Sequence, residues 1–308
     1  MRRRKVNKLI IGTRGSALAL KQAHYVQNLL QSAHPHIGIE IKTIQSLGDN
    51  QQETPLPEIG AKGLFTAEIE SELLSQKIDL AVHSLKDLPS TLPEGLIYAG
   101  SPKREDARDV FISHKWRSVE DVPTKSTIAS GSTRRKAQFL EQRSDLEFAD
   151  LRGNIETRLN KLKTEGWDGL IMAAAALHRL NMSDQITRYL DPLQFVPAVG
   201  QGAIGLEIKQ GRGDLEKLAD SIIDNETTQC CQAERLFLAH LEGGCSTAIG
   251  CWGRMENRRF LITGYTAAAN GSKVLRKSLK GMPADSNQLA QQLAEEFEQA
   301  GAKELLAG

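Results

Sequence analysis

The chain has 308 residues, 40% apolar and 25% charged, enough for two or three domains with cores of their own and without the bias of a disordered segment. Its 39 Lys and Arg balance 38 Asp and Glu, so no field of one sign draws the whole molecule to nucleic acid or to a membrane surface. Anion recognition therefore has to come from local clustering. No stretch approaches the roughly 18 apolar residues of a membrane helix. The N-terminal MRRRK is followed only by the short apolar LIIG before Arg14, so it reads as a solvated basic tail and not a secretory leader, with cytoplasmic residence as the default.

In chain order, KLIIG reads as a strand, SALALKQAHYVQNLLQSA as an amphipathic helix, IGIEIKTIQ as a strand, GLFTAEIESELLSQ as a helix and IDLAVHS as a buried strand. Such alternation implies βαβ units and a mostly parallel sheet. The charged SPKREDARD, 101–109, lacks apolar periodicity and suits a crossing linker. A second run of the same kind follows: VFIS, STIAS, a helix from Ser132, LEFADL, a helix from Asn154, and GLIMAAAAL. The Gly- and Pro-rich VPAVGQGAIG, 196–205, reads as a return passage. Beyond about Asp224 come an isolated helix (QAERLFLAHLE), the strands TAIGCWGRM, RRFLITGYTAA and KVLRKSLKG, and a long final helix, which together make a smaller α+β third domain. The expected division is 1–103 with 203–222, then 104–202, then 223–308.

Three strand-to-helix junctions share one composition. IIGTRGSALAL carries Arg14 and Ser16, IASGSTRRKAQFL carries Ser132, Arg134 and Arg135, and ADLRGNIETRLNKL carries Arg152 and Arg158. Arginine in a first helical turn opposes the positive end of the helix dipole, so its recurrence there calls for a reason other than helix stability. Singly these are ordinary solvated arginines. Repeated three times at the carboxyl ends of strands, where α/β sheets bind ligands, they predict a guanidinium-lined site for a ligand with many carboxylates or phosphates.

The segment DLAVHSLKDLPS ends a buried strand with His83, Ser84, Lys86 and Asp87. Asp87 and Lys86 either face the same site or serve the turn before Leu88-Pro89, and His83 reads as a structural hydrogen-bonder. An aspartate among cations is ionised, fit to stabilise a developing cation or to move protons. Of four cysteines, Cys230, Cys231 and Cys251 suit small buried apolar positions, and none shows zinc-ligand spacing, so no metal is expected. Cys245, in the loop GGCST, is exposed enough to act as a soft nucleophile if its thiol is acidified. Gly200, Gly202 and Gly205 spell G-x-G-x-x-G, but the following LEIKQG is too short and alternating for a dinucleotide-binding helix, so domain-crossing glycines are the preferred reading.

TRGSALAL, KGLFTAEIE, DLAVHSLKDLPS, GSTRRKAQ, LRGNIETRL, PAVGQGAIGLE and LEGGCSTAIG, in that order and spacing from about Leu9 to the end, closely resemble the porphobilinogen deaminase (hydroxymethylbilane synthase) family. The resemblance implies two α/β domains similar to type II periplasmic binding proteins, with mostly parallel sheets, and a smaller α+β C-terminal domain. It implies a transferase that links four porphobilinogen molecules head to tail, releasing ammonia each time, into hydroxymethylbilane for tetrapyrrole (haem) biosynthesis. The primer it implies is a dipyrromethane cofactor held by a thioether on Cys245. Asp87 then matches the catalytic carboxylate that stabilises azafulvene and pyrrole cations, with Lys86 beside it in the catalytic pair as a carboxylate-binding neighbour, and both also match cofactor-binding positions. Ser132, Arg134 and Arg135 match cofactor-binding positions. Arg14, Ser16, Arg152, Arg158 and Arg179 match substrate carboxylate-binding positions, Lys62 and Phe65 a lid, and Gln22 and Gln201 cleft-lining positions. Two departures stand out: Ser132-Thr133-Arg134-Arg135 where the family usually has S-L-R-R, and GGCSTAIG where a Pro often precedes Ile. The implied partners are porphobilinogen and the growing oligopyrrole, without nucleic acid or membrane, in a monomer. A two-lobed anion-binding protein without catalysis is the alternative, and a nucleotide-dependent enzyme, resting on GQGAIG alone, is a further one.

Overall fold

The KLIIG segment forms β1 (Lys8–Thr13), whose Leu9 and Ile11 are buried and pack on helix α1 (Ala17–Ala33) through Ala23, Val26 and Leu30. A computed structural model describes residues 7–45, 66–241 and 247–307. The chain divides into two units, residues 1–105 with 203–228 and residues 106–202 with 229–308.

The first unit continues with β2 (Gly38–Thr43), α2 (Ala67–Leu74), β3 (Leu80–Ser84) and β4 (Leu96–Gly100), and closes with the returning β10 (Ile204–Lys209) and α6 (Gly213–Asp220). Its sheet runs in the order β2-β1-β3-β10-β4. Leu80, Val82, Ile204, Leu206 and Ile208 meet α1 and α6 on one face. Ala81, with Ile78 and Leu96, meets Ile69 and Leu73 of α2 on the other. Each such fully buried Leu, Ile or Val stabilises the layer by about 1.5–3 kcal/mol.

The second unit contains β5 (Asp109–Ile112), β6 (Thr127–Ala129), α3 (Thr133–Gln142), β7 (Glu147–Ala149), α4 (Ile155–Thr164), β8 (Gly169–Ala173), α5 (Ala174–Arg179) and β9 (Arg188–Tyr189), in the sheet order β7-β6-β8-β5-β9. The two sheets have one plan. In each, four strands run one way and one is reversed: β10 pairs antiparallel with β3 and β4, and β5 pairs antiparallel with β8 and β9. Both are the mostly parallel α/β sheets expected from the sequence. The reversed strand of each sheet is the one that follows a crossing between units, because a strand entering from elsewhere need not follow the local βαβ path. A strand buried on both faces has the same apolar run in either direction, so the sequence does not reveal the reversal.

A third sheet, also in the second unit, is an antiparallel meander of β11 (Ile249–Glu256), β12 (Arg259–Ala267) and β13 (Val274–Gly281). The β11–β12 turn is a two-residue hairpin with Asn257 and Arg258 at φ 50° and 60°, the left-handed pair that suits strand twist. One face is covered by α7 (Asn225–His240) and α8 (Ser286–Gln299), with Phe237 and Phe297 edge-to-face at 5.2 Å. The short α9 (Ala302–Ala307) ends the chain, its Ala302 buried in the same cluster. The opposite face sets Tyr265 and Ala267 against Ala137 of α3, and Arg276 of β13 forms a bidentate pair with Glu141 of α3 at 2.9 and 2.6 Å. The small α+β C-terminal domain expected from the sequence is this sheet and its helices. Helix α7 begins seven residues before QAERLFLAHLE, because Asp224 Oδ1 accepts from Thr227 N–H at 2.8 Å and caps a polar first turn that apolar periodicity does not register.

Buried Glu234 of α7 joins two separate segments: one oxygen accepts from Gly200 N–H at 2.7 Å and the other from Gly253 N–H at 2.8 Å. Gly200 and Gly202 have φ of 69° and 85°, and strand β10, not a helix, follows them, so the G-x-G-x-x-G spacing here is a turn between units. Gly131 acts by close approach instead. A Cβ there would lie 2.6 Å from the backbone oxygen of Leu151, so the glycine lets the turns before α3 and α4 touch. Gly131→Ala is expected to destabilise the protein by about 1–3 kcal/mol, since a carbonyl cannot rotate aside as a side chain can, seen as a lower midpoint in urea unfolding.

Candidate active site

In the first unit, β3 runs directly into a single helical turn, Leu85–Asp87. Leu85 N–H donates to Ala203 O at 3.0 Å, and the buried Leu85 and Leu88 anchor the turn from below, leaving Lys86 and Asp87 half-buried at its rim. Asp87 lines a small cavity with Arg14, Ser16, Gln22, Thr66, His83 and Ser84. Each is placed by local chemistry. Ser16 caps α1 by accepting from Ala19 N–H at 3.3 Å, which fixes the turn that carries Arg14. Gln22 is buried on α1, and its amide exchanges two hydrogen bonds with the Ser84 hydroxyl at 2.9 and 3.1 Å. Beneath the cavity, His83 Nε2 lies 3.0 Å from Glu207 Oε2 of β10, both nearly inaccessible. Glu70 of α2 is buried close by. Burial pushes its carboxyl above the usual range and the charge of Glu207 adds to this, against the opposing pull of Thr66 and His83.

In the second unit, Ser132 caps α3 by accepting from Arg135 N–H at 3.4 Å, and Asn154 caps α4 by accepting from Thr157 N–H at 2.8 Å. Arg134 and Arg135 turn inward from that first turn onto Asp109, the first residue of β5. Arg134 Nη1 donates to Asp109 Oδ2 at 2.8 Å and to Val196 O at 2.6 Å. Arg135 donates to Asp109 Oδ1 from Nε at 2.9 Å and from Nη2 at 2.7 Å. Gln201 Nε2 completes the shell at 2.9 Å from the same oxygen. Burial works against ionisation of Asp109, but the two guanidinium groups outweigh it and hold the carboxyl far below its ordinary range. Burial in turn pulls Arg134 down from its usual value, with Asp109 opposing. Two guanidinium groups against one carboxylate leave one positive charge uncompensated within this triad.

Nearby junctions add cations. Arg179 donates to Gly202 O at 2.7 Å, Arg158 donates to Gly153 O at 2.8 Å, and Arg152 is half-buried beside it at the start of α4. The structure thus brings Arg14, Ser16, Gln22 and Asp87 to one cavity in the first unit, with Lys86 next to Asp87 on the same turn, and joins Arg134, Arg135 and Gln201 through Asp109 in the second, where Ser132 caps the helix that carries the two arginines and Arg152, Arg158 and Arg179 stand at other junctions. Lys62, Phe65 and Cys245 lie outside the described residues. Arg134 and Arg135 are less open than a guanidinium-lined surface would have them, because a buried arginine needs a counter-ion. Cys230, Cys231 and Cys251 are buried, as expected of small apolar positions. Sequence reasoning missed Asp109, which closes a charged linker and carries no motif. It also missed Glu207, whose signal was a lone acid in the otherwise apolar IGLEIK. Among the described residues no group of His, Cys, Asp and Glu is arranged to hold a metal ion, and no helix is long and apolar enough to cross a membrane.

The chain is thus an α/β protein with cation-bearing strand-to-helix turns and an acid at the rim of a polar cavity, features that suit an anionic small molecule. The family model described as "Porphobilinogen deaminase, dipyromethane cofactor binding domain" matches residues 9–217, and "Porphobilinogen deaminase, C-terminal domain" matches residues 228–299. The chain is 41% identical over 296 residues to the porphobilinogen deaminase of Syntrophobacter fumaroxidans, covering 96% of each chain. It is 43% identical over 296 residues to that of Alkaliphilus metalliredigens, covering 96% of this chain and 94% of the other. A methionine binding protein, MetQ, aligns at 10% identity and a TM-score of 0.45 over 72% of this chain and 93% of its own; the fold assignment rests on the strand order above. The chain belongs to the porphobilinogen deaminase family, enzymes of tetrapyrrole biosynthesis with a dipyrromethane-binding domain.

Two stability predictions follow from the buried acids. Asp109→Asn leaves two buried guanidinium groups without their carboxylate and is expected to cost about 3–5 kcal/mol in urea unfolding. The raised carboxyl of Glu70 means that the folded chain holds this proton more tightly than the unfolded chain. Its contribution is full below 4.5 and is lost as pH rises through the raised value. Glu70→Gln mimics the protonated form, so its melting temperature should gain on the wild type as pH rises above 4.5 and then level off. A difference independent of pH would contradict the assignment.

Proposed function

We propose that this chain joins four porphobilinogen molecules head to tail, with loss of ammonia at each step, to form hydroxymethylbilane. The observation that carries this reading is the surplus positive charge of the buried Arg134–Asp109–Arg135 triad. Every pyrrole of the substrate and product brings an acetate and a propionate, so a site with more guanidinium than carboxylate fits the ligand. An uncompensated buried cation is costly alone and is relieved by an incoming carboxylate.

The same surplus fits a resident dipyrromethane, which would be held by Ser132, Arg134, Arg135 and Lys86 and attached through a thioether to Cys245. When bound, it supplies the nucleophilic pyrrole carbon to which the first substrate is joined. The remaining roles belong to side chains. Asp87, at the rim of the cavity beside Arg14 and Ser16, is the catalytic carboxylate: it stabilises positive charge on the reacting pyrrole and moves the proton that departs with ammonia. Arg14 and Ser16, with Gln22 behind them, bind substrate carboxylate in the first unit. Arg152, Arg158, Arg179 and Gln201 serve the growing chain in the second, and Lys62 and Phe65 form a lid. Many separately placed arginines suit an anionic chain that lengthens in steps better than one rigid pocket would.

The functional division is 1–103 with 203–222, 104–202, and 223–308, in a monomeric cytoplasmic enzyme. Family membership favours this reading over an anion-binding protein of similar fold without catalysis. The intact mass of the purified protein should exceed the sequence mass by two linked pyrroles, and the excess should vanish in Cys245→Ala. Asp87→Ala should abolish product formation while the circular dichroism spectrum is retained. Near-normal turnover in that variant would remove Asp87 from the role.

A further inference from the structure

His83 and Glu207 form a buried pair that the reaction as assigned above does not use. His83 sits on β3 opposite Gly205 of β10, and Glu207 lies one diagonal position away on the same face of the sheet, 3.0 Å from the imidazole. Their side chains are 3% and 0% exposed. Glu207 Oε1 makes no hydrogen bond among the described residues, and the buried Glu70 adds a second acid on the α2 side. Burying two acids and an imidazole here does not help the fold, since an apolar pair of similar volume is commonly as stable or more so. What the pair provides is geometry.

The position of the pair along the strand shows what that geometry serves. Ser84 faces α1 and is locked to Gln22, while His83 faces α2 and is locked to Glu207, so the last two residues of β3 are pinned by polar contacts on opposite faces of the sheet. The next rung is Leu85 N–H to Ala203 O, after which the chain turns at once into Leu85–Asp87. His83 also lines the cavity that Asp87 borders. A strand end held only by backbone rungs frays, and a fraying end would let the following turn swing. Ser84 is fastened through one hydroxyl. His83 is fastened through an imidazole whose partner is fully buried on a neighbouring strand.

We propose that the Glu207–His83 pair is the positioning unit of this site, fixing the end of β3 so that the carboxylate of Asp87 is presented to the reacting pyrrole. Its part is to orient Asp87. The inference rests on the proposed role of Asp87 and deepens it.

The test uses the holoenzyme with porphobilinogen, comparing wild type, Asp87→Ala, Glu207→Leu and Glu207→Gln. Glu207→Leu removes the acceptor from His83, and kcat should fall by about 10²-fold while KM stays within about threefold, because misplacement of a reacting group affects the chemical step more than binding. Glu207→Gln keeps an oxygen that accepts from Nε2–H and should recover most of that loss, whereas a role in charge alone predicts no recovery. The imidazole nitrogen resonances of His83 in labelled protein should report a hydrogen-bonded Nε2–H in the wild type and in Glu207→Gln. If Glu207→Leu does not fold, His83→Gln takes its place, with the same split expected. Unchanged kcat in the folded variant overturns the proposal, as does a loss shared equally by kcat and KM that Glu207→Gln fails to restore. Wild-type enzyme that releases no ammonia, or an active Asp87→Ala, would overturn the functional reading instead. An inactive Asp87→Ala beside a fully active Glu207→Leu would overturn only the positioning role.

Discussion

The second unit is organised around one buried carboxylate. Asp109 opens β5, accepts from Arg134, Arg135 and Gln201, and so ties the first turn of α3 and the segment before β10 to an interior strand of a five-stranded sheet. An ionised aspartate at such a depth is unfavourable unless it is fully matched. Here it is matched twice over, and the excess becomes useful. The stability of this region and its surplus positive charge arise from the same side chains, so neither can be altered without the other.

The first unit solves a different problem. It has to hold a single acid at the edge of a polar cavity without burying it, and it does so with leucines below and polar pairs beside. Leu85 and Leu88 fill the core under the turn, while Gln22 and Glu207 hold the two residues before it. Nothing in this arrangement requires Asp87 itself to contribute to folding. That separation lets the acid at this rim be replaced without loss of the fold.

Much of this was legible in the sequence because the signals were local. The alternation of apolar strands and amphipathic helices, the serine and asparagine caps of α1, α3 and α4, and the crossing segments at 101–109 and 196–205 each depend on neighbours a few residues away. The parts that were not legible depend on partners far along the chain. Strand reversal in β5 and β10 leaves no mark on hydropathy. The inward turn of Arg134 and Arg135 depends on Asp109, some 25 residues earlier, and the orientation of His83 depends on Glu207, 124 residues later. A motif names residue types at a spacing, and it does not say which acid will answer which base across a sheet.

Glu234 carries an implication for how the chain transmits force. Both oxygens of this one side chain are spent on backbone donors, one at the left-handed Gly200 and one at Gly253 in β11. The C-terminal sheet and the passage leading to β10 are thereby joined through one side chain, beside the Cys251 N–H bond to Pro197 O at 3.0 Å. Tension applied to that sheet is delivered to the backbone at Gly200, two residues before the segment 106–202 ends, instead of being absorbed by a slack tether.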